Sequence, residues 1–252
     1  MRILLSALTA VGFLLAAQPQ AQAQPPAPPQ PQAQPQAPPQ PQPPTKSAME
    51  SDPKGWQNLF ADKTMKNWIR GPLGAAGQLR VGSMDEPSPW KMDPATGILL
   101  CEGDKVGHEW MRFATEMADF VLHVEWRLTK VDGEPAYNSG VYVRSSADGK
   151  IWVQAQGTMA GGFLFGAIAG PNGTTQRFNL RQSMFENRVK PAGEWNVYEV
   201  RAVGKQISLW VNGAVTSEYN ECEALSGYLG LEAEGYRVEY RNVQVKPIVE
   251  KR

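Results

Sequence analysis

The chain has 252 residues, and its 25 Lys plus Arg balance 25 Asp plus Glu, a formal net charge of zero. That balance excludes the basic footprint of a nucleic-acid binder and any general pull toward an anionic membrane surface. Two cysteines are too few for a disulfide-stapled scaffold or a cysteine metal cluster, and allow one bridge at most.

Residues 1–23 read as a secretory signal peptide. Arg2 precedes an apolar run from Ile3 to Ala17, and Ala21 and Ala23 supply small residues for cleavage. The run is short for a membrane span and no stop-transfer pattern follows. We therefore expect an exported protein, periplasmic or secreted, with no membrane insertion once the peptide is removed. Residues 24–50 begin with a tract of almost pure Pro, Gln and Ala. Such a tract has nothing to bury and lacks many backbone donors, so a disordered, extended spacer is expected. Residues 51–249 show no further shift in composition and are long enough for one domain with a sizeable core.

Helical signals are nearly absent from that domain. Residues 97–101 form an apolar strand ending at Cys101, and Cys222 lies in a loop before a later strand. One structural disulfide between them is expected. Residues 120–127, 138–144 and 151–156 alternate at period two, which places successive side chains on opposite faces of a strand. One set is apolar: Phe120, Leu122, Val124, Trp126, Val141, Val143, Val153 and Ala155. The other is polar and planar: His123, Glu125, Arg127, Tyr142, Arg144, Trp152, Gln154 and Gln156. The second composition suits a face that holds a sugar, and an ordinary solvated face remains the competing reading. Residues 195–201, 206–213 (closing on Asn212-Gly213), 228–234 and 238–245 continue the series of short strands. The whole predicts an all-β antiparallel sandwich, with Trp68 and Trp126 in its core and Trp152 and Trp210 on its faces.

The ordered set of short motifs resembles a known family. Residues 55–68, Trp90, residues 97–99, Phe120 with Glu125-Trp-Arg127, residues 138–144, Gly193-Glu-Trp-Asn196, Val211-Asn-Gly213, Gly230-Leu-Glu232 and Tyr240-Arg-Asn242 are together similar to the 3-keto-disaccharide hydrolase domain family. The resemblance runs in order over 55–247. It implies a concanavalin A-like jelly-roll sandwich of two curved antiparallel sheets, with a carbohydrate on the concave face. It also implies cleavage of glycosidic bonds in 3-keto-sugars. The chain departs from the family pattern at three strands. Trp152-Val-Gln154-Ala-Gln156 stands where Tyr-Glu-x-Gln is usual, and Leu231-Glu232-Ala-Glu234-Gly235 where Leu-Gln-x-His-Gly is frequent. Gly166-Ala-Ile-Ala169 replaces Gly-Ala-Ile-Tyr.

In this frame Glu125 or Glu232 is the expected base, Arg144 the enolate stabiliser, and His123, sharing a face with Glu125, the better placed of two histidines. His108 reads as incidental. Arg127, Asn138, Tyr142, Trp152, Gln154, Gln156 and Glu234 are the expected substrate contacts. Two glutamates on one face repel unless a proton, an Arg or a hard cation such as Ca²⁺ lies between them, so Glu232 and Glu234 suggest an acid/base pair or a cation site. A plain Glu125–Arg127 ion pair and a solvated glutamate pair are the structural alternatives. No closely spaced His/Cys set suggests zinc. Neither a nucleophile elbow, a P-loop nor a dinucleotide fingerprint is present. The Glu-x-Asp-x-x-Glu strand of two-carboxylate glucanases is also missing. The expected function is an exported hydrolase of 3-keto-glycosides acting by elimination and hydration. A non-catalytic carbohydrate-binding module on a Pro-rich spacer is the alternative. Parity also puts Arg144 beside Tyr142, so Arg144→Lys is expected to leave stability near normal and cost function about tenfold.

Overall fold

The computed structural model describes residues 43–72 and 88–249; the expected signal peptide and most of the expected spacer lie outside them. Among the described residues, fifteen strands numbered in chain order form two antiparallel sheets. The first sheet contains β1 (Gln57–Asn58), β3 (Trp90–Met92), β4 (Leu99–Glu102), β6 (Phe120–Leu128), β11 (Asn196–Val203), β12 (Gln206–Val211), β13 (Ala214–Tyr219) and β15 (Arg237–Pro247). Its order is β13-β12-β11-β6-β15-β4-β3, with β1 paired to β15. The second contains β2 (Trp68–Pro72), β5 (His108–Phe113), β7 (Ser139–Ser145), β8 (Trp152–Gln156), β9 (Leu164–Ala169), β10 (Thr175–Asn179) and β14 (Tyr228–Glu234). Its order is β10-β9-β8-β7-β14-β5-β2. This is the jelly-roll sandwich that the strand pattern and the resemblance predict.

The apolar sets meet between the sheets. Phe120, Leu122, Val124 and Trp126 of β6 join Val141, Val143, Val153 and Ala155 of the second sheet in one buried cluster. Burying each large apolar side chain stabilises the fold by about 1.5–3 kcal/mol. Trp68 and Trp126 are both in this core. The polar sets do not share a face. β6 belongs to the first sheet and β7 and β8 to the second. When two sheets join their apolar sides, their polar sides point in opposite directions. His123, Glu125 and Arg127 are therefore on the far surface of the sandwich from Tyr142, Gln154 and Gln156. Parity along a strand fixes alternation but not which sheet receives the strand. Trp210 is likewise on the outer side of the first sheet, where its indole N–H donates to Thr45 Oγ1 at 3.0 Å.

Arg144 is displaced by a bulge. The β7–β14 register shifts between Tyr228 and Gly230, and Arg144 takes a left-handed φ of 53°. A Cβ at Gly227 would lie 2.5 Å from the Arg144 carbonyl carbon, so only glycine lets the strands close there. The twist sends the Arg144 side chain, 0 % exposed, toward the interior. Its Nη2 donates to Asp119 Oδ1 at 3.2 Å and to the Gly204 carbonyl at 3.5 Å. Its Nη1 donates to the Ala224 carbonyl at 3.2 Å. Asp119 leads into β6 and Gly204 lies between β11 and β12, so Arg144 staples one sheet to the other and is not beside Tyr142.

Cys101 and Cys222 are both buried and free, which corrects the expected disulfide. Strand order supplies the reason. Cys101 is on β4, whereas Cys222 follows β13 and its N–H donates to the Lys205 carbonyl between β11 and β12. Several strand widths of about 4.8 Å intervene, far beyond the reach of one S–S bond.

Two outcomes follow from these placements. Arg144→Lys, which loses the fork, should lower stability by about 1–3 kcal/mol through unsatisfied buried carbonyls, read as a lower denaturant midpoint, with activity retained. Reducing agent should leave Tm unchanged, and thiol reagents should label both cysteines only after unfolding; a Tm drop with reductant would contradict free thiols.

Candidate functional site

The outer face of the second sheet gathers polar side chains from four neighbouring strands around Glu232, which is 1 % exposed. Register brings them there. Glu232 of β14 faces Gly140 on β7 and Trp110 on β5, and Gly140 faces Gln156 on β8. A Cβ on Gly140 would lie 1.9 Å from Gln154 Nε2. The bare glycine thus lets Gln154 cross β7 and donate its amide N–H to Glu232 Oε2. Tyr142 donates its hydroxyl to Glu232 Oε1 at 2.6 Å, and His108 Nε2 lies 2.6 Å from the same oxygen. Glu234 Oε2 is 3.7 Å from His108 Nε2 and accepts from the Asn138 amide. Gln156 in turn donates to Asn138 Oδ1 at 2.6 Å.

An aromatic row supports this cluster. The Trp110 indole lies over Gly230, where a Cβ would meet Nε1 at 2.0 Å. Trp110 and Tyr142 pack edge to face at 5.9 Å, Tyr142 and Trp152 at 5.5 Å, and Trp152 and Phe165 at 5.2 Å. The Arg177 guanidinium sits 5.4 Å from the Trp152 ring. Trp152 is therefore a buried packing member of the row and not an open stacking platform.

Electrostatics separate the roles. Burial, together with the charge of Glu232, raises the pKa of Glu234 above 4.5. Burial lowers that of His108, but the hydrogen bond and charge of Glu232, then the charge of Glu234, outweigh it and leave the imidazole above 6.5. Burial, and then the Glu232 charge, push Tyr142 well above 10, so its hydroxyl stays protonated and donates. The donor atoms of His108, Glu232 and Glu234 all lie within 4.8 Å of one another. One imidazole and two carboxylates suit a borderline divalent ion such as Zn²⁺, Mn²⁺ or Fe²⁺ better than the all-oxygen shell of Ca²⁺.

The fold thus brings together Glu232, Glu234, Tyr142, Gln154, Gln156, Asn138 and Trp152. It leaves out Arg144, described above, and the three residues of β6. On the first sheet's outer surface His123 Nδ1 is 2.9 Å from Glu199 Oε1, and His123 Nε2 is 3.8 Å from Glu125. Glu125 accepts from Arg241 at 2.7 Å and Asn242 at 3.0 Å. Arg127 pairs with Glu239. Arg127 and Arg241 lie 4.7 and 3.9 Å from the Trp195 ring centroid. His123, with Arg241 and Asn242, outweighs burial and holds Glu125 down to about 2. A carboxylate so held is a weak base, and the network is structural. The residues that sequence reasoning missed are His108 and Trp110. His108 is 124 positions from Glu232, so no local spacing announces it, although period-two parity over 108–113 does put His108 and Trp110 on one face.

The shifts fix a stability profile against pH. Glu125 and Glu199 have lowered pKa values. They stabilise the fold above their ordinary 4.5, and that contribution is lost as pH falls toward about 2. His108 and His123 are raised above 6.5, so their contribution is full below 6.5 and lost as pH rises through the folded values. Glu234, raised above 4.5, has the same sign as the histidines. Tm should peak between about 4.5 and 6.5; a Tm still climbing above pH 7 would contradict the assignment.

Comparison with known proteins agrees with this architecture. A candidate glycosyl hydrolase from Parabacteroides distasonis ATCC 8503 superposes with TM-score 0.54 at 16 % identity, covering 82 % of this chain and 100 % of that one. A second from the same organism gives 0.51 at 16 % identity, covering 77 % and 99 %. A structure from work on endo-acting O-glycanases of the human gut microbiota gives 0.51 at 14 % identity, covering 77 % and 98 %. At such identities the likeness shows the shared fold alone. A comparison with curated proteins found no match. The 3-keto-alpha-glucoside-1,2-lyase-like domain matches residues 55–246, a span that takes in both sheets and every residue of the Glu232 cluster, and the chain belongs to that family.

Proposed function

We propose that this protein is exported and cleaves glycosidic bonds of 3-keto-glycosides, by elimination and then hydration, at the Glu232 cluster. The observation that carries the proposal is the convergence of His108, Tyr142 and Gln154 on one buried carboxylate beside a half-open second one, in a chain of this family. A ketone at C3 acidifies the C2 proton. Glu234, with side-chain exposure of 39 % and a raised pKa, takes that proton, and the resulting enolate expels the C1 substituent. His108, whose charged form Glu232 favours, donates to the developing oxygen charge and protonates the leaving oxygen. Water then adds across C1 and C2, returning the proton to C2 and leaving the free 3-keto-sugar. Tyr142 and Gln154 hold Glu232 in place, and Asn138 and Gln156 contact hydroxyls. If His108, Glu232 and Glu234 instead hold a divalent cation, that ion supplies Lewis-acid polarisation of the ketone.

Export rests on residues 1–23, and a mature N-terminus near Gln24, read by mass spectrometry of secreted protein, tests it. For the chemistry, purified protein is incubated with a 3-keto-glucoside and aglycone release is followed, with and without added Mn²⁺, Zn²⁺ or Ca²⁺. Glu234→Gln should lower kcat/KM by about 100-fold or more, while Glu125→Gln should leave it unchanged; the reverse pattern would move the site to the first sheet. The metal-free rate should be bell-shaped, because Glu234 must be ionised and His108 charged. Its acid limb lies above 4.5 and its alkaline limb above 6.5. Saturable glycan binding with no release under any condition would instead favour a carbohydrate-binding module.

A further inference from the structure

Asn138 and Gln156 belong to the Glu232 cluster on one side and line a pocket of about 430 Å³ on the other. That volume is in the range of small-molecule sites. The walls are unlike the carboxylate cluster next door. Tyr137 and Phe163, 6 % and 7 % exposed, form much of the lining together with Met159 and Tyr236. The Tyr137 and Tyr236 rings lie 5.0 Å apart, tilted by 50°. The Tyr137 hydroxyl is spent on the backbone, accepting from the Val131 N–H at 2.8 Å and donating to the Val131 carbonyl at 3.1 Å. The tyrosine therefore contributes ring surface more than polarity.

Two polar features stand out against this lining. Gln156 is 8 % exposed, and its Oε1 has no hydrogen-bond partner. Its orientation is fixed from behind, since its amide N–H donates to Asn138 Oδ1 and the Asn138 amide donates to Glu234. A buried carbonyl oxygen without a donor is costly, and a ligand hydroxyl reaching the junction of cluster and pocket satisfies it. At the rim, exposed Arg181 begins the short 3₁₀ turn Arg181–Ser183 and lines the same pocket. Among the described residues no carboxylate forms an ion pair with it. A guanidinium facing an aromatic pocket, with no internal counter-charge, offers its planar fork to a carboxylate.

We propose that this pocket is the subsite for the leaving group, and that it selects an aromatic ring bearing a carboxylate. The ring lies against Tyr137 and Phe163, the acid meets Arg181, and Gln156 Oε1 accepts from a sugar hydroxyl at the junction. The proposal rests on reading the Glu232 cluster as the bond-cleaving centre. A second sugar fits less well, because each of its hydroxyls needs a partner and the aromatic walls supply few.

The test reads binding without turnover, so it does not depend on the release assay. Calorimetry compares 4-carboxyphenyl glucoside with its methyl ester, both unoxidised, on the full-length protein and on Arg181→Gln. The two ligands share shape and sugar and differ in charge. The wild type should bind the acid about tenfold tighter than the ester. Arg181→Gln should bring the two together by weakening the acid alone, and the exposed position keeps the variant folded. Equal binding of acid and ester to the wild type, no binding of either, or a preference that survives Arg181→Gln would each overturn the proposal. If the preference holds while no 3-keto-glycoside is cleaved, the pocket assignment stands as a binding site and the elimination reading fails.

Discussion

The contact on which the rest depends is the apolar seam between the two sheets. Phe120, Leu122, Val124 and Trp126 come from one side and Val141, Val143, Val153 and Ala155 from the other. Each strand that contributes to the seam must put its alternate residues outside. Two outer surfaces result, and they carry different chemistry. The first sheet's surface is made of committed ion pairs, with Glu125, Glu199 and Glu239 each answered by a cation or a backbone donor. The second sheet's surface concentrates donors on Glu232.

A carboxylate that is 1 % exposed would be strongly destabilising without partners. The open face is shaped by supplying them. Gly140 stays bare so that Gln154 can cross, Tyr142 is clamped between Trp110 and Trp152 so that its hydroxyl is aimed, and His108 is brought within hydrogen-bond reach of the carboxylate. Glu234 lies just outside this shell, with raised proton affinity and access to solvent. Two carboxylates two residues apart on one strand thus meet different surroundings, Glu232 enclosed by donors and Glu234 open to solvent with its pKa raised by burial and by the Glu232 charge.

Much of the fold was legible because it depends on local rules: period-two alternation, Asn-Gly turn chemistry and the near-absence of helix signals. The site was legible only in part. Glu232, Glu234, Tyr142, Gln154 and Gln156 share a sheet, and parity on their own strands suffices to put them on its outer face. Glu125 and His123 obey the same parity, yet the chain between β6 and β7 crosses from one sheet to the other, and nothing in the alternation records that crossing. Arg144 failed for a different reason. A bulge paired with Gly227 breaks parity within a single strand, and its signal is distributed over residues more than eighty positions apart. His108 was missed because its partner comes from the far end of the chain.

The entry of the chain into the sandwich has a practical consequence. Thr45 is held to the Gly213 carbonyl and the Trp210 indole, and the N–H groups of Ala48 and Met49 donate to Glu199. Residues 45–49 are thus moored to the first sheet's side, the reverse of the surface that carries Glu232. A reporter or short tether attached at exposed Lys46, within this moored stretch, therefore sits on the first sheet's side and leaves the Glu232 surface free.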